Sequence, residues 1–91
     1  MKELLHFTAE WCGPCKKIKP IIEEYISNHQ DIKYQQINVD DFGQIALDHN
    51  VLSIPTLISK IDGQIVNRHT GVATKEQIAA LFNNPNTEMV E

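Results

Sequence analysis

The sequence predicts an α/β domain with the element order βαβαββα, a four-stranded mixed sheet carrying helices on both faces. Three observations predict it. Short apolar runs such as Leu4-Leu5-His6-Phe7 alternate with segments whose apolar residues recur at helical spacing, first at Ile18, Ile21, Ile22, Tyr25 and Ile26. A strand, a helix and a strand in succession imply parallel pairing through a right-handed crossover. Asp62-Gly63, between two later strand-like runs, is a two-residue hairpin signal, so the last pairing is antiparallel and the sheet is mixed.

Lys2 to Phe7 reads as a buried strand, apolar on both faces. A helix follows from about Cys12 to Asn28 or His29. Pro20 lies inside it and removes one backbone hydrogen bond, so a bend is expected there. Ile32 to Val39 is the second strand. Asp40 to Asn50 reads as a short helix, capped by Asp40 or Asp41, with Phe42, Ile45 and Ala46 as its apolar face. Ser53-Ile54-Pro55 is a loop, Thr56 to Ile61 the third strand and Gln64 to Thr70 the fourth. Thr74-Lys75-Glu76-Gln77 has capping-box form. It opens a last helix with Ile78, Ala79, Leu81 and Phe82 as its apolar face, ended by Asn84-Pro85. The expected division is a domain over 1–84 and a frayed C-terminal tail over 85–91.

The chemistry lies in Trp11-Cys12-Gly13-Pro14-Cys15, which holds the only two cysteines of the chain, at the handover from first strand to first helix. Disulfide exchange needs one thiol that ionises near neutral pH and a second close enough to resolve a mixed disulfide. Two intervening residues in a first helical turn allow both sulfurs to approach bonding distance. Cys12 falls at the helix start, where unpaired N–H groups and the macrodipole favour negative charge, so its pKa should fall. Cys15, one turn in, should be more buried and less reactive. Pro14 suits a first turn because its missing N–H has no partner to lose. Gly13 leaves Cys12 unshielded, and Trp11 offers a flat rim, although a surface-packing tryptophan fits the same sequence. Lys16 and Lys17 add positive field or form a solvated face. A zinc site is the bland alternative for C-x-x-C. It has no second cysteine pair here, and His6, His29, His49 and His69 lack ligand spacing.

Bulk properties narrow the classes. Ninety-one residues make one domain, and a chain that is 42% hydrophobic and 22% charged is of ordinary globular composition. A net charge of −4 without a basic patch argues against nucleic acid as a partner. No apolar stretch approaches membrane-span length, so no membrane partner is expected. Met1 to His6 has no signal-peptide pattern, which makes a cytoplasmic location the expectation. In that compartment a C-x-x-C pair is catalytic more often than structural.

Trp11-Cys12-Gly13-Pro14-Cys15-Lys16, preceded by Thr8-Ala9-Glu10, resembles the active-site segment of the thioredoxin family. Pro20, Asn38-Val39-Asp40, Ile54-Pro55-Thr56, Asp62-Gly63 and Gly71 follow in family-like order and spacing from Phe7 to about Phe82. The resemblance implies a thioredoxin-like fold with strand order 2-1-3-4, lacking the family's usual N-terminal strand and helix. It implies a cis Ile54-Pro55 bond opposite the cysteines. The backbone of Ile54 would pair with an extended substrate, and Thr70, Gly71 and Val72 would form another side of the groove. It implies a redox-active Cys12–Cys15 disulfide with no bound cofactor or metal. Disulfide-containing proteins would be the partners of a monomer, and a flavoprotein thioredoxin reductase, or alternatively the glutathione system, would recycle it.

The chain departs from the family at three positions. The buried acid beneath the cysteine pair falls at His6, its accompanying lysine at Gln36, and a common tryptophan at Thr8. The acid normally assists proton transfer at the resolving thiol. His6 can do so as a base, or be a satisfied core histidine without a catalytic part. The expected function is reduction of protein disulfides through a mixed disulfide on Cys12, resolved by Cys15. Two rivals stand beside it: a glutaredoxin-like, glutathione-recycled enzyme, and an interaction subunit that keeps the fold but works by docking. A folding oxidant is disfavoured by the missing signal peptide.

Overall fold

A computed structural model describes residues 1–83. The expected tail over 85–91 and the Asn84-Pro85 stop lie outside the described residues. The elements are β1 (Lys2–Thr8), α1 (Gly13–Ser27), β2 (Ile32–Asn38), α2 (Gly43–Asp48), β3 (Thr56–Ile61), β4 (Gln64–Thr70) and α3 (Lys75–Ala80). The sheet order is β2-β1-β3-β4. β1 pairs parallel with β2, from Lys2 opposite Ile32 to Thr8 opposite Asn38. It pairs antiparallel with β3, which pairs antiparallel with β4. The fold is α/β, with the element order the sequence predicted and the strand order the family resemblance implied.

Alternation along β1 sends its side chains to two separate cores. Leu4 joins Ile18, Ile22 and Tyr25 of α1, Leu57 of β3, and Ile78 and Leu81 near α3. Leu5 and Phe7 join Ile37, Ala46 and Ile58 beneath α2. α1 and α3 therefore share one face and α2 covers the other. α1 runs unbroken through Pro20, which is exposed.

Asp62 and Gly63 take φ of 52° and 83°, the left-handed pair that a tight hairpin between β3 and β4 requires. Above it the register slips between Ser59 and Lys60, leaving a bulge. The buried Ser59 hydroxyl fills the bulge, accepting from the Asn67 N–H at 3.1 Å. The same hydroxyl donates to the Leu81 carbonyl, and the Asn67 side-chain amide donates to the carbonyls of Leu81 and Asn83 at 3.0 and 2.9 Å. The end of α3 is thus tied to the sheet. Its start carries the expected capping box: Thr74 Oγ1 accepts from Gln77 N–H and the Gln77 side chain accepts from Thr74 N–H.

Two expectations need correction. α2 is six residues long rather than eleven, and neither Asp40 nor Asp41 caps it. Its N-cap is Phe42, without a side-chain hydrogen bond. Asn38 organises the turn instead: its side chain accepts from Asp40 N–H at 2.8 Å and its carbonyl accepts from the N–H groups of Asp41 and Phe42. Only Ala46 of the expected apolar face is buried, while Ile45 is 37% exposed and Phe42 53%; Leu47, outside that face, is 66% exposed. On α3, Ile78 and Leu81 are buried but Ala79 faces water, because a six-residue helix presents less than two turns to the core.

Candidate active site

The strand-to-helix handover is a tight turn. The Cys12 N–H donates to the Ala9 carbonyl at 3.2 Å, and the chain enters α1 with Cys12 as N-cap, its backbone extended. Pro14 occupies the first turn. The Cys15 N–H donates to Cys12 Sγ at 3.2 Å, so the sulfur takes the capping place that a serine or aspartate oxygen takes elsewhere. Cys12 and Cys15 are joined as a disulfide, with Cα atoms 5.3 Å apart. Burial does not separate the two, contrary to the expected contrast: Cys12 is 4% exposed and Cys15 2%. Their positions do. Only the Cys12 sulfur sits at the helix N-terminus, among N–H groups without intrahelical partners.

The loop before β3 comes back to this turn. The Ile54–Pro55 bond is cis. Pro55 is buried, and Ile54 and Val39 pack on the cluster of Ala9, Cys12 and Cys15. Register places Thr70 opposite Thr56, next to Pro55. The following Gly71 donates its N–H to the Pro55 carbonyl at 2.8 Å. Its φ of 99° is one that side chains rarely adopt. Val72 is partly exposed, its carbonyl 3.3 Å from His69 Nε2.

Trp11 is 69% exposed, and its indole N–H donates to an Asp40 carboxylate oxygen at 2.9 Å. A cleft of about 340 Å³ runs from Trp11 past Val39 and Ala46 to Val51, Leu52, Ser53 and Ile54. Leu52 is 95% exposed at its rim. Asp40, Val51, Leu52 and Ser53 were missed as site residues by sequence reasoning. Asp40 looked like a helix cap, and the exposed leucine beside Ile54-Pro55 was the available signal for the loop. A larger cavity of about 420 Å³ lies elsewhere, between α2 and the β1–β2 side of the sheet, and reaches neither sulfur. The cleft from Trp11 to Ile54 shares Val39 and Ile54 with the cluster packed on the disulfide, and a third, of about 290 Å³, is lined by Cys15 itself.

His6 is wholly buried on the α1 face of β1. Nδ1 lies 3.1 Å from the Tyr34 hydroxyl, and Nε2 has no hydrogen-bond partner among the described residues. Burial, reinforced by the positive charge of Lys19, lowers its pKa from 6.5 to about 4, so the ring is neutral at neutral pH. Burial also raises the Tyr34 pKa, aided by the nearby Glu23 carboxylate, and keeps the phenol protonated. Gln36 lies beside His6 in register but is exposed. Among the described residues no three His, Cys, Asp or Glu side chains gather to hold a metal. No described helix is long and apolar enough to cross a membrane.

Comparison with known proteins agrees with this geometry. The family model described as Thioredoxin matches residues 1–84. The thioredoxin of Bacillus subtilis is 41% identical over 81 residues, covering 88% of this chain and 78% of that protein. The thioredoxin of Chlamydia caviae is 39% identical over 80 residues, with the same coverage. Oxidised mitochondrial thioredoxin 3 of Saccharomyces cerevisiae superposes with a TM-score of 0.82 at 29% identity, over 88% of this chain and 76% of that one.

Proposed function

The chain belongs to the thioredoxin family and is a thiol–disulfide oxidoreductase, and we propose that Cys12 attacks the substrate disulfide while Cys15 resolves the mixed disulfide. The supporting observation is the position of Cys12 Sγ at the N-terminus of α1, accepting the Cys15 N–H. That environment favours the thiolate, the nucleophilic form. Attack by Cys12 breaks the substrate S–S bond and forms a Cys12–substrate disulfide. Cys15 then attacks Cys12 Sγ, closes the intramolecular disulfide and releases the substrate thiol.

The substrate class is an extended peptide strand around a disulfide. Ile54 would pair with it through backbone groups, as in strand addition. Trp11, Gly13 and Pro14 would form one wall of the site, and Thr70, Gly71 and Val72, with Pro55 between, the other. His6 is the proton-transfer candidate at the resolving thiol. Recycling by a flavoprotein thioredoxin reductase, a monomeric state, a cytoplasmic location and a catalytic unit over 1–84 complete the reading.

Two measurements test it. Insulin reduction should run with NADPH and a flavoprotein thioredoxin reductase, and much more slowly with glutathione and its reductase; the reverse preference would overturn the recycling assignment. Cys15→Ser should accumulate mixed disulfides on Cys12. Trapping instead on Cys15 in Cys12→Ser would reverse the roles.

A further inference from the structure

β1 and α1 run in opposite directions, since the strand ends at Thr8 and the helix begins at Gly13 close by. Leu4 packs in one cluster with Ile18 and Ile22. His6 lies two residues further along the same face, about 6.6 Å. A helical turn rises about 5.4 Å, so His6 falls beneath the preceding turn of α1, which begins at Cys15. The influence of Lys19, on that same stretch, fits this placement. His6 is buried, with Nδ1 on the Tyr34 hydroxyl and Nε2 without a partner. Tyr34 is half-buried and stands on β2, an edge strand of the sheet.

We infer that His6 and Tyr34 form a proton relay for Cys15, leading from the buried sulfur to the open edge of the sheet. It rests on the reading of Cys15 as the resolving thiol. When Cys15 Sγ attacks Cys12 Sγ, the Cys12–substrate S–S bond breaks and its electron pair leaves on the substrate sulfur. The Cys15 S–H proton passes to His6 Nε2. The Nδ1 proton passes to the Tyr34 oxygen, and the phenolic proton passes to water at the edge of β2. The substrate thiolate takes a proton from solvent, so protons and electrons balance.

The neutrality of His6 is the reason for a relay rather than a simple base. Accepting and holding a proton would leave an imidazolium where burial and Lys19 oppose it. Releasing one proton as another arrives keeps the ring uncharged throughout. Tyr34 has a further consequence: the hydrogen bond at Nδ1 sets which ring nitrogen carries the proton. With the phenol accepting from Nδ1–H, Nε2 presents a lone pair. Among the described residues the other elements around the ring give Nε2 no hydrogen-bond partner. β3 places Leu57 beside His6, and α3 contributes Ile78 and Leu81 to this face. Lys19 on α1 is the charge that acts on the ring, Glu23 acts on Tyr34, and Glu10 and Lys16 line the cleft at Cys15.

A rival exit exists. A polar cleft of about 290 Å³, lined by Glu10, Lys16, Lys19 and Gln36 among others, reaches Cys15 directly. The test separates the two routes. The reduced full-length protein is mixed with excess disulfide substrate, in H₂O and D₂O, and oxidation is followed through Trp11 fluorescence. Tyr34→Phe should slow the Cys15 step about three- to tenfold and diminish its solvent isotope effect. The Cys12 step, read in the Cys15→Ser background with and without Tyr34→Phe, should not change. Nitrogen-15 NMR of the reduced wild type should show His6 protonated at Nδ1. A wild-type rate and isotope effect in Tyr34→Phe would assign the proton to the cleft and overturn the relay, as would a proton on Nε2. If the wild type fails to reduce insulin, the functional reading falls and the relay with it; an active enzyme indifferent to Tyr34→Phe sinks the relay alone.

Discussion

On one face of the sheet, α1 and α3 close over Leu4, Ile18, Ile22, Leu57 and Ile78, all fully buried. On the other, a six-residue helix without a side-chain cap buries Ala46 and leaves Phe42 and Leu47 largely in water. The first face holds the scaffold and the His6–Tyr34 pair. The second holds most of the cleft beside the disulfide, with Val39, Ala46, Val51 and Ile54 in its walls. The difference teaches that stability and access are assigned to opposite sides. The face under two helices buries its apolar side chains and opens only a polar cleft at Cys15, whereas the thinly covered one keeps apolar surface available next to Cys12.

The largest expected effect tests that division directly. Ile22→Ala should cost about 2–5 kcal/mol in urea unfolding, because it opens a cavity in a closed core. Phe42→Ala should cost under about 1 kcal/mol, since most of its ring is already exposed. Equal losses would mean that the α2 face is as tightly built as the other.

Acid should weaken the α1 face through His6. Its folded pKa of about 4 lies below the unfolded value of 6.5, so the unfolded chain binds a proton first as pH falls. The stability contribution is complete above pH 6.5 and is lost as pH drops toward 4. Between pH 7 and 5 the loss from this group is on the order of 2 kcal/mol. Unfolding free energies measured across that range should show a slope that His6→Leu flattens. An unchanged slope would place the pH sensitivity elsewhere.

Smaller effects concern the helix ends. Thr74→Ala removes the capping-box hydroxyl and should cost about 1 kcal/mol, whereas Phe42→Asp supplies the cap that α2 lacks and should stabilise by about 0.5–1 kcal/mol. A loss in Phe42→Asp would show that the Phe42 ring holds α2 in place. Least of all, Lys75→Met, which breaks the exposed ion pair with Glu24 between α3 and α1, should leave the urea midpoint within error.

Much of this was legible because local signals and tertiary outcomes agreed. The strands β3 and β4 fall where β-rich runs flank Asp62-Gly63, and Thr74 to Gln77 caps a helix as its spacing implies. The cysteine turn was legible for the same reason: it is a short segment whose neighbours decide its structure. α2 was misread because Asp40 answers to a distant residue. Its carboxylate goes to the Trp11 indole, 29 positions away, and the turn is left to Asn38. The partner of His6 was hidden likewise, since nothing in the sequence marks Tyr34, 28 residues on, as its hydrogen-bond partner.

The tie between α3 and the sheet bears on the order in which the chain folds. At six residues α3 is too short to persist alone in water. The donors that complete its end belong to Ser59 and Asn67, 22 and 14 residues before Leu81, and stand side by side only once β3 and β4 have paired with their bulge in register. The hairpin therefore has to exist before the helix can be finished. Mutations in α3 should then accelerate unfolding more than they retard folding, the signature of a segment that docks after the rate-limiting step.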